Sequence, residues 1–204
     1  MSQNFCKQLL NSHKMIYKIG IFGAHGTGKT TLGKALCEVI RVDFITNTMR
    51  NMWKEFGVND FEKLPQDARS LFQKQAIVRQ IELENTKNST GFVTDRTVLD
   101  NLGYTLLSSD MTQSDLLLYQ TLVKERLNSY THLIYLPVVF DAPSEHLRAD
   151  VSTRKSWAGI IEGLIEDYLP PKKLLKMQVI SHEERIQEVL KFIRFEENGQ
   201  TKKV

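Results

Sequence analysis

The sequence predicts an α/β fold in which a parallel β-sheet is covered by helices on both faces. Two observations predict it. Short apolar segments alternate with longer segments of helical periodicity, which is the pattern of repeated strand–helix units. A glycine-rich loop also joins the first apolar segment directly to the first helix. With 204 residues, 41% of them hydrophobic and 25% charged, the chain suits one domain with a full core.

Five apolar segments are predicted to be strands, and each ends where a polar loop begins. Ligands of parallel sheets bind beyond the carboxyl ends of the strands, so we expect the functional site in these loops. The predicted strands are Met15 to Phe22, Val42 to Thr46, Gly91 to Asp95, His132 to Val138 and Met177 to Ser181.

The segments between the strands carry apolar residues at helical spacing. The first predicted helix follows the glycine-rich loop from Thr31. The last places its apolar residues on one face, which favours packing against the sheet. The other predicted helices, with the last, are Pro65 to Lys87, Val98 to Ser108, Gln113 to Leu127 and Glu183 to Phe195.

Composition makes several classes of partner less favoured without excluding a nucleic acid. The net charge of +3 and the pI of about 8.8 are too mild for a nucleic-acid footprint, so a nucleic-acid partner is not favoured. Met1 to Lys14 lacks the apolar core of a signal peptide, and no stretch approaches the length of a membrane span. Cys37 lies on the apolar face of the first helix, where we expect a buried reduced thiol. We therefore expect a soluble, cytoplasmic protein without a membrane partner.

The loop from Gly23 to Thr30 has the pattern G-x-x-x-x-G-K-[ST] between a strand and a helix. In this arrangement backbone N–H groups and the helix N-terminus bind phosphate oxygens, Lys29 reaches the β and γ phosphates, and Thr30 holds Mg²⁺. The alternative is a chance turn rich in small residues. We predict an ATP and Mg²⁺ site; the nucleotide-binding residues are Gly23, His25, Gly26, Thr27, Gly28, Lys29, Thr30 and Thr31.

The third predicted strand ends on Asp95, followed by Arg96 and Thr97. A carboxylate here can coordinate Mg²⁺ directly or through water, and it can accept the proton of an attacking hydroxyl. Arg96 can stabilise charge on the transferring phosphoryl group. The alternative, that Asp95 caps the helix beginning near Val98, is compatible with these roles.

A basic segment follows the fourth predicted strand, and we predict that it forms a lid over residues 141–157. Arg148 and Arg154 are spaced so that a helical or partly folded lid directs both towards one site, where they would neutralise charge on the γ-phosphate. The alternative is a pair of surface arginines on a solvated helix.

These motifs together resemble the P-loop kinases of small molecules, especially the nucleoside and nucleotide kinase group and the related AAA-like ATPase family that includes nicotinamide riboside kinase domains. The resemblance covers roughly residues 16–180. Asp95-Arg96-Thr97 is similar to the D-R-[ST] signature of such kinases. The lid matches in its arginines, but Glu145-His146-Leu147-Arg148 replaces the D-G-x-R of the nicotinamide riboside kinase relatives.

The resemblance implies a three-layer P-loop NTPase fold with a five-stranded parallel sheet and an arginine-bearing lid. Residues 15–195 would form the kinase domain, with an N-terminal extension at 1–14 and a polar tail at 196–204. Many such kinases are dimers, so a homodimer is an expectation as well.

The resemblance also places the phosphate acceptor between the loop after the second strand and the long predicted helix Pro65 to Lys87. Aromatic side chains there could stack on a base, a glutamine could read its edge, and a cation could hold an acceptor phosphate. The alternatives are core packing and a surface arginine. The predicted substrate-binding residues are Arg50, Trp53, Phe72 and Gln75, within a region that also includes Thr48, Met49 and Gln73.

The predicted function is Mg²⁺-dependent transfer of the γ-phosphate of ATP to a nucleoside, a nucleoside monophosphate or a similar hydroxyl-bearing acceptor. The predicted catalytic residues are Lys29, Asp95, Arg96, Arg148 and Arg154, with Thr30 and Asp95 as metal ligands. Two alternatives stay open: a kinase that acts on a hydroxyl of a modified base in DNA, and an ATPase or nucleotide switch without an acceptor.

Overall fold

A computed structural model of the protein describes residues 15–46, 48–57, 63–108, 111–138, 151–179 and 181–200. Within these ranges the side chains of Thr48, Arg50, Ser108, 151–154 and 195–200 lie outside the description.

Five parallel strands form one sheet, with β1 in the centre. The strand order is β2-β3-β1-β4-β5, and β1 pairs with both β3 and β4. This topology confirms the predicted P-loop NTPase-like α/β fold. The strands are β1 (Lys18–Gly23), β2 (Asp43–Ile45), β3 (Phe92–Asp95), β4 (His132–Leu136) and β5 (Leu174–Lys176).

The first four strands lie where the sequence predicts them, with ends that differ by up to three residues. The prediction for the fifth, Met177 to Ser181, is wrong. Its strand is Leu174–Lys176, because Leu174 and Leu175 pair with the neighbouring strand β4. Beyond Met177 the chain leaves the sheet, and the Ser181 hydroxyl accepts a hydrogen bond from the Glu184 N–H at the start of the last helix.

Helices cover both faces of the sheet. Three predicted helices, Pro65 to Lys87, Val98 to Ser108 and Gln113 to Leu127, agree closely with the observed ones, and the last helix runs on through residues 196–200 of the predicted tail. The helices of the described residues are α1 (Lys29–Ile40), α2 (Thr48–Glu55), α3 (Gln66–Thr86), α4 (Val98–Ser108), α5 (Gln113–Ser129), α6 (Val151–Tyr168) and α7 (His182–Gln200).

The sequence prediction missed α2 and most of α6. Helix α6 buries Trp157, Ile161, Leu164 and Ile165 at helical spacing, which is a clear amphipathic signal. The described part of the predicted lid, 151–157, is the beginning of this helix, which packs on the domain through Trp157. The lid itself stays a prediction.

Alternation along β1 divides the interior into two cores. Ile19 and Ile21 join Leu32 of α1 and Val189 of α7 on one face of the sheet. Phe22 joins the core formed by α3, α4, α5 and α6 on the other face. Because side chains of a strand point alternately to opposite faces, the central strand is buried on both sides. The result is the predicted three-layer arrangement.

Gly23 ends β1 and begins the phosphate loop, and the packing there requires glycine. Its φ of 142° lies in a region that L side chains rarely adopt. A Cβ atom at this position would lie 2.3 Å from the carbonyl oxygen of Leu136 on β4. The loop therefore passes close over the end of the neighbouring strand.

The Cys37 thiol on α1 is half-buried, and burial raises its pKa to about 11. This agrees with the expectation of a reduced thiol of low reactivity, since the thiolate is the reactive form. None of the helices in the described segments combines the length and the apolarity that crossing a bilayer requires.

Candidate functional site

The phosphate loop connects the buried strand β1 to the N-terminus of α1. Gly26 and Gly28 have positive φ angles of 75° and 91°, which turn the backbone around the helix N-terminus. Inside the loop, the Thr27 hydroxyl donates a hydrogen bond to the Ala24 carbonyl oxygen at 3.0 Å. This is the strand, glycine loop and helix arrangement that binds phosphate through backbone N–H groups.

Lys29 is the first residue of α1 and is buried, with 5% of its surface exposed. Its Nζ donates a hydrogen bond of 2.6 Å to the Ala24 carbonyl oxygen. The ammonium group therefore lies over the concave side of the loop, where phosphate oxygens bind in this type of site.

Thr30 and Asp95 meet at the end of the sheet. The Thr30 hydroxyl donates a hydrogen bond to Oδ2 of Asp95, the last residue of β3. The contact follows from the register, in which Ile21 of β1 pairs with Asp95 two residues before the loop begins. The structure thus brings together the two residues that the sequence predicts as metal ligands.

Arg96 follows Asp95 in an unusual backbone conformation. Its φ is 91°, in the left-handed region, and only 4% of the residue is exposed. Its guanidinium lies 4.8 Å from the centroid of the Tyr104 ring. Its Nη2 lies 2.8 Å from Nε2 and 3.0 Å from Nδ1 of His25 in the phosphate loop. A guanidinium only donates, so the imidazole nitrogen that accepts carries no proton.

The surroundings of Arg96 raise its pKa and so keep its guanidinium charged. Burial lowers the pKa of Arg96, but the Tyr104 hydroxyl and the carboxylates of Asp100 and Asp95 raise it by more, so the pKa lies above its ordinary value. A permanent cation therefore contacts both the loop and the end of β3. The contact of the His25 side chain with Arg96 was not predicted, because nothing in the sequence indicates that the loop and Arg96 touch.

Asp100 is a site residue that the sequence analysis missed. It is fully buried, and its carboxylate accepts hydrogen bonds from the N–H of Thr97 at 2.7 Å and from the N–H of Gly23 at 3.3 Å. The Thr97 hydroxyl in turn accepts from the N–H of Leu99. This is a capping box at the start of α4, so Thr97, rather than Asp95, caps the helix. The signal was the T-x-x-D spacing.

Burial raises the pKa of Asp100, while Arg96, Lys29 and the two N–H donors act in the opposite direction. The carboxylate therefore connects the helix cap with the backbone of the phosphate loop. Asp95 takes no part in this cap, so its carboxylate can contact Thr30 and a ligand bound beside it.

Arg185 on α7 also contacts the phosphate loop and was not predicted. It is 8% exposed, and its Nη1 donates to the Thr27 carbonyl oxygen at 2.8 Å. Its Nε donates to the Val179 carbonyl oxygen at 3.1 Å. One side chain thus ties the outer side of the loop to the segment after β5. The two residues are 158 positions apart, and no local pattern indicates the contact.

The predicted acceptor residues lie between α2 and α3. Phe72 is buried in a hydrophobic cluster with Met49, Met52 and Ala76, and Trp53 packs against that cluster. This placement agrees with the core-packing alternative, and stacking on a base stays a prediction. Arg50 lies in α2, with its side chain outside the described atoms.

The two glutamines of this region lie on different sides of α3. Gln75 is exposed and lines a cavity of about 570 Å³ on the outer side of the helix, beside Met52 and Phe56. Gln73 is 1% exposed, and its Oε1 has no hydrogen-bond partner among the described residues. Gln73 is therefore the buried glutamine of this region and Gln75 the exposed one, and substrate binding by Gln75 stays a prediction.

Asn101 on α4 is a second buried amide, and its Nδ2 likewise has no partner in the described segments. The Tyr119 hydroxyl contacts the Gln73 carbonyl oxygen and the Thr105 side chain, and the Thr105 hydroxyl donates to the Asn101 carbonyl oxygen. These contacts connect the backbone carbonyl groups of the two residues and leave their side-chain amides unpaired. Buried amides are normally hydrogen-bonded, so both are candidate contacts for a polar ligand.

The predicted lid arginines are not defined by the structure. Arg148 lies outside the described residues, and Arg154 belongs to the first turn of α6, with its side chain also outside the description. The residues that the structure does define hold no group of three or more His, Cys, Asp or Glu side chains arranged for a metal ion. A metal here would depend on Thr30, Asp95 and the ligand's own oxygen atoms.

Comparison with known proteins supports the same fold. A family model described as an AAA domain matches residues 18–185. A search of curated proteins finds no match.

Among solved structures, the chain is 16% identical to NadR protein in complex with NAD and AMP-PNP, with a TM-score of 0.61 over 87% of this chain and 49% of that one. It thus spans about half the length of NadR. Deoxyadenosine kinase from M. mycoides, with dCMP and dCDP bound, is 18% identical, with a TM-score of 0.60 over 87% and 98% of the two chains. Thymidylate kinase from Ehrlichia chaffeensis is 16% identical, with a TM-score of 0.59 over 88% and 99%. The chain therefore has a nucleoside and nucleotide kinase-like fold.

We predict that Arg185→Met lowers the free energy of unfolding by about 2 to 4 kcal/mol, because two carbonyl oxygens lose a charged donor. Urea denaturation measures the change. Arg194→Met, at an exposed position of the same helix, is the matched control and should change it by less than about 0.5 kcal/mol. Equal effects of the two substitutions would contradict the assigned contact.

Proposed function

This chain belongs to the AAA domain family, and from its site we propose that it is a phosphotransferase. It transfers the γ-phosphoryl group of ATP to a hydroxyl of a nucleoside, a nucleoside monophosphate or a similar small acceptor, with Mg²⁺ as cofactor. The observation that carries the proposal is the contact of Thr30 with Asp95, which joins the phosphate loop to a carboxylate at the end of β3.

The residues present fit Mg²⁺ bound to a nucleotide. A hydroxyl and a carboxylate oxygen are the hard ligands that this ion prefers, and it takes its remaining ligands from phosphate and water. Thr30 and Asp95 would hold it, directly or through water. When bound, Mg²⁺ would neutralise negative charge on the β and γ phosphates.

The transfer forms a bond between the acceptor oxygen and the γ-phosphorus and breaks the bond from that phosphorus to the β,γ-bridging oxygen, which leaves on ADP. The acceptor proton passes to the Asp95 carboxylate and then to water. Lys29 and the loop N–H groups orient the phosphates, and Arg96 supports the charge on the transferring group. Most of the rate acceleration in such reactions comes from this positioning and charge stabilisation.

Arg148 and Arg154 remain part of the proposal as cations that close over the γ-phosphate. They supplement Arg96, which the fold already holds at the loop. Their role depends on the segment after β4, so it is separable from the role of Lys29 and Asp95.

The phosphate acceptor would bind at the two buried side-chain amides, those of Gln73 and Asn101. Gln73 offers a carbonyl oxygen and Asn101 an N–H donor, and both lack partners among the described residues. An acceptor with neighbouring donor and acceptor groups, such as a nucleobase, would satisfy them. The compounds bound to NadR and to deoxyadenosine kinase, named above, support a nucleoside or nucleotide ligand.

The first test is a transfer assay with γ-labelled ATP and Mg²⁺ against nucleosides, nucleoside monophosphates, nicotinamide riboside and DNA with modified bases. We expect one labelled small-molecule product. Lys29→Ala and Asp95→Asn should each lower its formation by on the order of 100-fold or more, because both remove groups that act on the transferring phosphate. Lys34→Ala, an exposed lysine on the same helix, should change it less than about twofold.

The assay also decides between the alternatives. Near-normal turnover by a folded Lys29→Ala protein would contradict the mechanism. Product on DNA alone would favour a polymer acceptor, and release of free phosphate that no acceptor changes would favour an ATPase or nucleotide switch.

The two glutamines of α3 provide a second test. Gln73→Leu should lower kcat/KM for the acceptor by about 10- to 100-fold, because the partner group on the acceptor is left unpaired, and it should leave KM for ATP unchanged. Gln75→Leu, on the exposed side of the helix, is measured in parallel. A loss with Gln75→Leu and none with Gln73→Leu would contradict the assignment and restore the prediction made from the sequence.

A further inference from the structure

We propose that Gln80 is a positioning residue that holds Arg96 in its left-handed conformation and so keeps its guanidinium against the phosphate loop. The importance of this position for catalysis rests on the proposed function; the positioning itself does not.

Arg96 has a φ of 91°, which no β-carbon-bearing residue adopts without cost. Such conformations cost about 1 to 3 kcal/mol and persist only where the surroundings enforce them. If the backbone relaxed into an ordinary region, the side chain would leave its present direction. Something must therefore hold the peptide groups on both sides of Arg96.

Both peptide groups are held by buried hydrogen bonds. The Arg96 N–H donates to the Ile21 carbonyl oxygen on β1 at 2.9 Å. The Arg96 carbonyl oxygen accepts from the Thr94 hydroxyl at 2.9 Å and from Nε2 of Gln80 at 3.3 Å. Thr94 is a neighbour in the chain, so Gln80 is the group that fixes this carbonyl from another element, α3.

Gln80 is itself fixed. The two N–H groups of its Nε2 are shared among three acceptors: Oε1 of Glu84 at 2.5 Å, the Thr94 hydroxyl oxygen at 3.0 Å and the Arg96 carbonyl oxygen at 3.3 Å. The fully buried Glu84 carboxylate accepts from Nε of Arg126 at 2.5 Å and from the Tyr130 hydroxyl at 2.6 Å. A buried charge pair of this kind costs desolvation energy and often serves to specify a geometry.

The network of hydrogen bonds ends at the phosphate loop. The guanidinium of Arg96 packs on Tyr104 and reaches His25, which is part of the phosphate loop. Helix α3 is thereby connected to the cation at the loop through one amide group. All of these contacts are made by the protein's own groups, so the fold itself positions Arg96.

The test compares Gln80→Met, which keeps the volume and removes the amide, with Tyr130→Phe, which removes a different donor from the same Glu84 carboxylate. Both should lower the free energy of unfolding. Of these two variants, only Gln80→Met should lower kcat, by about 10- to 100-fold, with KM for ATP changed less than about twofold.

A third variant, Thr94→Val, removes the other donor to the Arg96 carbonyl oxygen and should also lower kcat.

Crystal structures of Gln80→Met and Tyr130→Phe test the position of Arg96 independently of turnover. In Gln80→Met, Arg96 should leave the left-handed region and lose contact with His25, whereas Tyr130→Phe should retain both. Arg96 unchanged in Gln80→Met, or an equal loss of kcat in Gln80→Met and Tyr130→Phe, would overturn the proposal. If the wild-type protein transfers no phosphate to any acceptor, the proposed function fails, and the crystal structures still decide the role of Gln80.

Discussion

The parallel pairing of β1 with β3 is the constraint on which the rest of the site depends. The register aligns Ile21 with Asp95, so the phosphate loop that follows β1 begins beside the carboxylate that ends β3. Thr30 can then reach Asp95, and Arg96 can reach His25, without any movement of secondary structure. Residues more than sixty positions apart become neighbours because two short strands exchange hydrogen bonds. The roles proposed for Thr30, Asp95 and Arg96 follow from that adjacency.

The site concentrates charge where little water is present. Lys29, Asp95, Arg96 and Asp100 are all buried. Burial of an unpaired charge is expensive, so each must be compensated. Asp100 accepts two backbone N–H groups, Arg96 rests on an aromatic ring and an imidazole, and Lys29 donates to the loop. Arg185 and Gln80 hold the surrounding backbone from α7 and α3. A site built in this way is organised before ligands arrive, which is the condition for electrostatic stabilisation of a transferring phosphoryl group.

The fold, the phosphate loop and the Asp95-Arg96 pair could be predicted from the sequence, because local periodicity or a short motif indicates each of them. Prediction failed where the decisive contact is long-range. The strand at Leu174–Lys176 was placed three residues late because two apolar runs follow each other there and only pairing with β4 selects between them. Spacing alone also does not tell which side of α3 is buried, so the burial of Gln73 and the exposure of Gln75 were not predicted. Arg185 carries no motif, and its contact with Thr27 exists only in the folded chain.

The central claim is that Thr30 and Asp95 act together on one Mg²⁺-bound nucleotide. A double-mutant cycle tests it most directly: the affinity for ATP in the presence of Mg²⁺ is measured by calorimetry for the wild type, Thr30→Val, Asp95→Asn and the double variant. The account predicts that the two substitutions are coupled by at least about 1 kcal/mol, since both act through the same ion. Effects that add to within about 0.3 kcal/mol would show that the two residues act independently and would contradict it.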